Sequence, residues 1–126
     1  MDRIGDDSAG FSVGQDPVAG TVRVTGWGFW SPAVAASYAT KVVAACRDKP
    51  GAGLVLDMTD LKPMREEGQR AFATVMRSLP ALGVTRVSIV TASQMTKLQL
   101  VRLASENGAS AYVQWVSGVS AMARNA

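Results

Sequence analysis

Four carboxylates crowd one short stretch of the chain, Asp57, Asp60, Glu66 and Glu67. Carboxyl pairs perform general acid–base work when their surroundings push their pKa values apart. The stretch follows the apolar run Gly53-Leu54-Val55-Leu56, and open α/β sheets gather ligands at the carboxyl ends of their strands. Efficient proton transfer near neutrality asks for more. The chain has no histidine, which removes the usual general base, the commonest zinc ligand and the base of both His-dependent nucleophile designs. We therefore read Asp57 as a strand-ending residue, Asp60 as a turn residue and Glu66 with Glu67 as the acidic first turn of a helix. No residue is assigned a catalytic or metal-binding role, and no cofactor is implied.

Other reactive groups have structural readings too. Cys46 is the single cysteine, so it has no internal disulfide partner, and its neighbours Val42, Val43, Ala44 and Ala45 place it on the buried side of a helix. The segment Thr91 to Lys97 gathers hydroxyls, a lysine and a helix start, which is anion-binding chemistry; helix capping explains the same residues. No Gly-x-Gly-x-x-Gly or Walker-type phosphate loop occurs, and Gly26-Trp27-Gly28 alone is too short to cradle a phosphate. Trp27, Phe29 and Trp30 form an aromatic knot that fits core packing first, with an exposed docking patch or a ligand pocket that includes Met64 as the alternatives.

Periodicity gives the elements that position these residues. Residues 1–10 are rich in Asp, Gly and Ser with no apolar period and read as a flexible tail. Phe11-Ser12-Val13 and Thr21-Val22-Arg23-Val24-Thr25 alternate apolar and polar across Asp16-Pro17 and Gly20, which predicts a hairpin. Ser31-Pro32 is a helix start, and Val34, Ala35, Tyr38, Val42 and Ala45 give that helix one apolar face to about Arg47. Gly53 to Met58 is apolar on both parities, as in a strand covered on both faces. Pro63 at a first helical position, with Glu66 and Glu67 behind it, opens a second helix whose core stripe is Phe72, Val75, Met76 and Leu79. Thr85 to Thr91 reads as a strand. Ser93 caps a third helix holding Met95, Leu98, Val101 and Leu103 and ending at Asn107-Gly108. Ala111 to Val116 is a final strand, followed by at most a short helix over residues 117–126. Strands separated by helices need crossovers. The fold class is therefore α/β, a mixed sheet of about four to five strands with an antiparallel opening hairpin, parallel later strands and three to four helices.

Bulk properties bound the function. A chain of 126 residues with 48% hydrophobic residues supports one core. The 13 basic and 10 acidic residues are interspersed, without the basic stripe of a nucleic-acid footprint. The first residues, Met1 to Asp7, include acids where a secretory signal needs a basic and then an apolar stretch, and no run approaches the roughly 20 apolar residues of a membrane span. A cytoplasmic location is expected, with no membrane span and no nucleic-acid partner. The free edge of the hairpin is a surface through which a homodimer can form.

From about Phe11 to the end, residues 11–126, the chain resembles the STAS domain of anti-sigma-factor antagonists, including the divergent branch grouped with lipid-binding Sec14-like domains. The resemblance rests on the hairpin ending in Gly26 and the strand with its acid, Leu54-Val55-Leu56-Asp57-Met58-Thr59. It continues through Leu61 to Gly68, Gly83 to Val90, and the third helix ending Glu106-Asn107-Gly108. It implies a STAS-like α/β fold and a non-enzymatic regulatory domain that binds a protein partner, an anti-sigma or kinase-like regulator or another signalling protein. Such domains carry an Asp-Ser-x-Gly-type helix start whose serine is phosphorylated. Here the matching stretch is Met64-Arg65-Glu66-Glu67-Gly68: Gly68 aligns with the family glycine, and Glu66 occupies the phosphoacceptor-equivalent position. A phosphoserine carries about −1.5 to −2 charge, whereas Glu66 holds one permanent charge, so the usual phosphoserine switch is not expected. Partner-binding residues are expected at Asp57, Thr59, Lys62, Arg65, Glu66 and Gln69. The alternative is a small-ligand or lipid-binding domain with Trp27, Phe29, Trp30 and Met64 lining a pocket.

Overall fold

Parallel neighbours in a sheet are joined by crossovers, and crossovers are right-handed. When every step also moves in the same direction across the sheet, each helix lands on the same face. The computed structural model describes residues 2–116 and has this arrangement. Its elements are β1 (Asp2–Gly5), β2 (Gly10–Asp16), β3 (Thr21–Gly28), α1 (Pro32–Asp48), β4 (Gly53–Leu61), α2 (Glu66–Ser78), β5 (Val87–Thr91), α3 (Gln94–Glu106), a 3-10 turn (Ser110–Tyr112) and β6 (Val113–Val116). The strands lie in sequence order in one six-stranded sheet. β1, β2 and β3 are antiparallel, and β3 to β6 are parallel. The three helices and mixed sheet match expectation, but the sheet has six strands rather than four to five.

The additional strand is β1, within the stretch expected to be a flexible tail. Composition missed it because its contacts are tertiary. Asp2 to Gly5 pair with Val13 to Gly10, the Arg3 guanidinium sits 4.8 Å over the Trp27 ring, and Lys41 of α1 lies 3.7 Å from Asp2. Asp6 ties the turn: its carboxylate accepts from the Ser8 hydroxyl and from the Ser8 and Ala9 amides, and these hydrogen bonds hold its pKa below the ordinary value. The close approach demands glycine at Gly28, where φ is +74° and a Cβ would fall 2.0 Å from the Ser8 carbonyl oxygen. The hairpin edge expected to be free for a homodimer is thus occupied by β1.

One core fills the space between sheet and helices. Alternation sends Phe11, Val13, Val22, Val24, Leu54, Leu56, Met58, Val87 and Ile89 to the helix side, where they meet Ala35, Tyr38 and Val42 of α1, Phe72, Val75 and Met76 of α2, and Leu100, Leu103 and Ala104 of α3. The opposite face carries no helix among the described residues. Val55 and Val90 bury there as a small satellite with Val116, so among the described residues β4 is covered by helices on one face only. α1 begins as read, with the Ser31 hydroxyl accepting from the Val34 amide and Pro32 at the first helical position. The expected segment after Val116 lies outside the described residues.

α3 differs inside its boundaries. Ser93 caps it as expected, yet Met95, Leu98 and Val101 are exposed and the buried residues are Thr96, Leu100, Leu103 and Ala104. The apolar residues alone pointed to a face rotated away from the true one, because the buried Thr96 counts as polar in any such pattern.

An aromatic cluster fills the core beneath α1: Phe11 lies 6.0 Å from Trp30 and 5.8 Å from Tyr38, both edge-on, and Trp30 lies 4.8 Å from Tyr38. The Trp30 indole donates to the Gly10 carbonyl at 2.8 Å. The Tyr38 hydroxyl is buried with no hydrogen-bond partner among the described residues, and burial pushes its pKa up. A buried hydroxyl without a partner costs about 1–3 kcal/mol. Tyr38→Phe is therefore expected to raise stability by about 1 kcal/mol, read as a higher urea midpoint at unchanged slope. A lower midpoint would show that the hydroxyl has found a partner.

Candidate functional site

The site forms where β4 ends. Opposite Thr25 and Trp27 of β3 stand Asp57 and Asp60 of β4, two steps on one strand against three on the other. This bulge carries the strand past Met58 to Leu61 and bends its end. Asp57 faces the helix-free side, where its Oδ1 accepts from the Thr59 hydroxyl at 2.7 Å and the Thr59 amide at 3.2 Å. Its Oδ2 lies 3.8 Å from the Arg23 guanidinium, and its side chain is 15% exposed. The carboxylate thus ties down the bulge.

Beyond β4 the chain enters Lys62–Arg65 before α2. Pro63 restrains Lys62 to extended geometry, and α2 starts at Glu66 with Arg65 at the cap rather than at Pro63. The later start has a tertiary cause, since the backbone of Met64 is engaged elsewhere. Its N–H donates to the Gln99 side-chain oxygen at 2.7 Å, and its carbonyl accepts from the Gln99 and Gln69 side-chain nitrogens, each at 3.0 Å. Just before it, the Lys62 amide donates to the Gly28 carbonyl at 3.1 Å, and the buried Thr96 hydroxyl donates to the Leu61 carbonyl at 3.0 Å. The Met64 side chain is buried and rests on Gly68, where a Cβ would come within 3.0 Å of it.

The outer surface of this segment is charged. Lys62, Arg65, Glu66 and Glu67 are exposed. The Glu66 carboxylate pairs with Arg70 one turn along α2. Asp60, Lys62, Arg65 and Glu67 make no ion pair through their side chains among the described residues. A cleft of about 460 Å³ lies beside them, lined by Thr59, Asp60, Leu61, Lys62, Ala92 and Ser93.

Of the six residues expected to bind a partner, Lys62, Arg65 and Glu66 share this exposed surface. Asp57 and Thr59 bond to each other at the bulge. Gln69 turns inward, donating to the Met64 carbonyl and accepting from Arg102 at 2.7 Å. The four pocket residues divide between core and surface. Trp30 and Met64 are in the core, Trp27 donates to the Asp6 carbonyl at 2.7 Å, and Phe29 is exposed. Sequence reasoning missed Arg23, Thr96, Gln99 and Arg102. A helical i, i+3 spacing joined Thr96 to Gln99, but their partners lie 35 residues away.

No protein-family model and no curated protein sequence matches the chain. Solved structures do. An uncharacterized protein from the DUF3478 family with a SpoIIAA-like fold, from Shewanella loihica PV-4, aligns with a TM-score of 0.68 and 11% identity, covering 96% of this chain and 97% of that one. The anti-sigma factor antagonist SpoIIAA in its unphosphorylated form aligns with a TM-score of 0.64 and 16% identity, covering 91% and 95%. The fold is SpoIIAA-like, the fold that the STAS resemblance implied.

Cys46, the one thiol, is 1% exposed inside the core, and burial pushes its pKa up to about 11. A thiol attacks as thiolate, so Cys46 is expected to stay unmodified by a disulfide reagent at pH ~8 in the native chain and to react fully once denaturant is added. Rapid labelling of the native chain would place the thiol at the surface.

Proposed function

We propose that the chain is a non-enzymatic regulatory domain that docks a protein partner, in the manner of an anti-sigma factor antagonist, through the segment after β4 and the first turn of α2. The observation that carries this reading is the pairing of an exposed charged surface with a fixed backbone. Lys62, Arg65 and Glu66 project from a segment whose Lys62 and Met64 amides and Leu61 and Met64 carbonyls are bonded inside the molecule. Opposite charges side by side select among partners electrostatically, and a rigid backbone lowers the ordering cost of binding. The fold shared with SpoIIAA supports the reading. So does the engagement of Asp57, which holds the bulge.

The domain works without a serine switch at this place. Glu66 occupies the phosphoacceptor-equivalent position, and its single negative charge is paired with Arg70. A phosphoserine there would carry about −1.5 to −2 charge and three acceptor oxygens. The surface is therefore in one permanent charge state, and the partner meets it constitutively.

The test is a double charge reversal, Arg65→Glu with Glu66→Lys. Both side chains are exposed, and exposed ion pairs such as Glu66–Arg70 contribute about 0–1 kcal/mol, so thermal stability should move little. Immobilised wild-type chain is expected to retain a specific protein from a lysate of the native source, identified by mass spectrometry, and the double variant to lose it. Equal retention by both, or a large stability loss in the variant, would overturn the reading.

A further inference from the structure

The segment Leu61–Arg65 does not hold its own shape. It makes no helix: the Lys62 amide donates to Gly28 and the Arg65 carbonyl accepts from the Gln69 amide, while the Met64 amide and the Leu61 and Met64 carbonyls are held by side chains. The central contact is a two-way one. Gln99 of α3 accepts the Met64 N–H through its side-chain oxygen at 2.7 Å and donates to the Met64 carbonyl through its nitrogen at 3.0 Å, as a neighbouring strand would do. The orientation of the amide follows from the chemistry, because only its oxygen can accept from an N–H. Gln69 reaches the same carbonyl, and Arg102 of α3 holds Gln69 in turn while also pairing with Glu106. Thr96, one turn before Gln99, is fully buried and holds Leu61.

We infer that Gln99 is the positioning residue of the docking surface: by clamping Met64 from α3 it presents Lys62, Arg65 and Glu66 in one arrangement before a partner arrives. The inference rests on the docking reading above and adds a residue that need not touch the partner itself. Three features separate it from ordinary packing. Gln99 is only half-buried, so its removal opens no cavity of consequence in the core. The Met64 N–H has no acceptor other than Gln99 among the hydrogen bonds of the described residues. The Met64 carbonyl has a second donor in Gln69, so the N–H is the group that Gln99 alone controls.

The experiment combines amide hydrogen exchange by NMR on the intact chain with capture from the native-source lysate, for wild type, Gln99→Leu, Gln99→Glu and Leu98→Ala. Glutamate keeps an acceptor for the Met64 N–H; Leu98 is an exposed neighbour that makes no part of the clamp. Gln99→Leu is expected to speed Met64 exchange about tenfold or more while the core amides of Leu54 and Leu56 keep their protection. It is also expected to retain less of the protein that wild type captures and the Arg65/Glu66 double variant loses. Leu98→Ala is expected to keep both Met64 protection and capture, and Gln99→Glu, which retains the acceptor for the Met64 N–H but turns its second oxygen toward the Met64 carbonyl, to keep more of both than Gln99→Leu. Unchanged Met64 exchange in Gln99→Leu overturns the inference, as does faster exchange with undiminished capture. Parallel loss of protection at Leu54, Leu56 and Met64 in both Gln99 variants does so too, because Gln99 would then be a general stability residue. If the double variant captures as wild type does, the docking reading itself fails, an outcome distinct from failure of the clamp alone.

Discussion

Each parallel strand after β3 can be reached only by a crossover of one hand, and here every crossover steps the same way across the sheet. That constraint places α1, α2 and α3 side by side on one face and concentrates the apolar side of every strand beneath them. It also brings the ends of β3, β4 and β5 and the starts of the helices that follow them to one rim. The charged segment sits on that rim because β4 delivers it there, between α2, which it opens, and α3, which lies alongside. A strand order that doubled back would have separated these helices and left Met64 without its partners.

Part of the chemistry at the rim is already spoken for. Asp57, the carboxylate best placed for acid–base work, spends its oxygens on Thr59 and Arg23. Glu66 is paired along its own helix, and the one thiol is sealed in the core. What remains at the surface is a pattern of charge on a backbone that other elements hold still. Such an arrangement suits recognition, in which complementary charge sets specificity and a prepared backbone reduces the entropy lost on association.

Several features were open to reading in the sequence. Ser31-Pro32 and Ser93 announced two helix starts because capping is a local transaction between a side chain and amides within one turn. The hairpin of Phe11 to Val13 with Thr21 to Thr25 followed from alternation, and Lys62, Arg65 and Glu66 were identifiable as an exposed charged group. β1 was not legible, since a short strand rich in charge and glycine lacks an apolar period and is held by pairing with Gly10 to Val13 and by contacts to Trp27 and Lys41. Nor was the delayed start of α2, because Pro63 carries a genuine helix-start signal that the Gln99–Met64 contact overrides.

Local patterns by themselves determined the order of helices and later strands, the two capped helix starts, and the charges that reach the surface. These depend on interactions spanning a few residues, so the spacing of residue types suffices to specify them. Tertiary structure alone decided that the sheet begins with β1, that α3 buries Thr96 while exposing Met95, Leu98 and Val101, and that Trp30 and Met64 join the core while Phe29 is exposed. It also decided that Gln99 and Gln69 serve Met64 across the interior. Each of these rests on contacts between residues far apart in the chain, whose strength depends on geometry that no spacing of residue types contains.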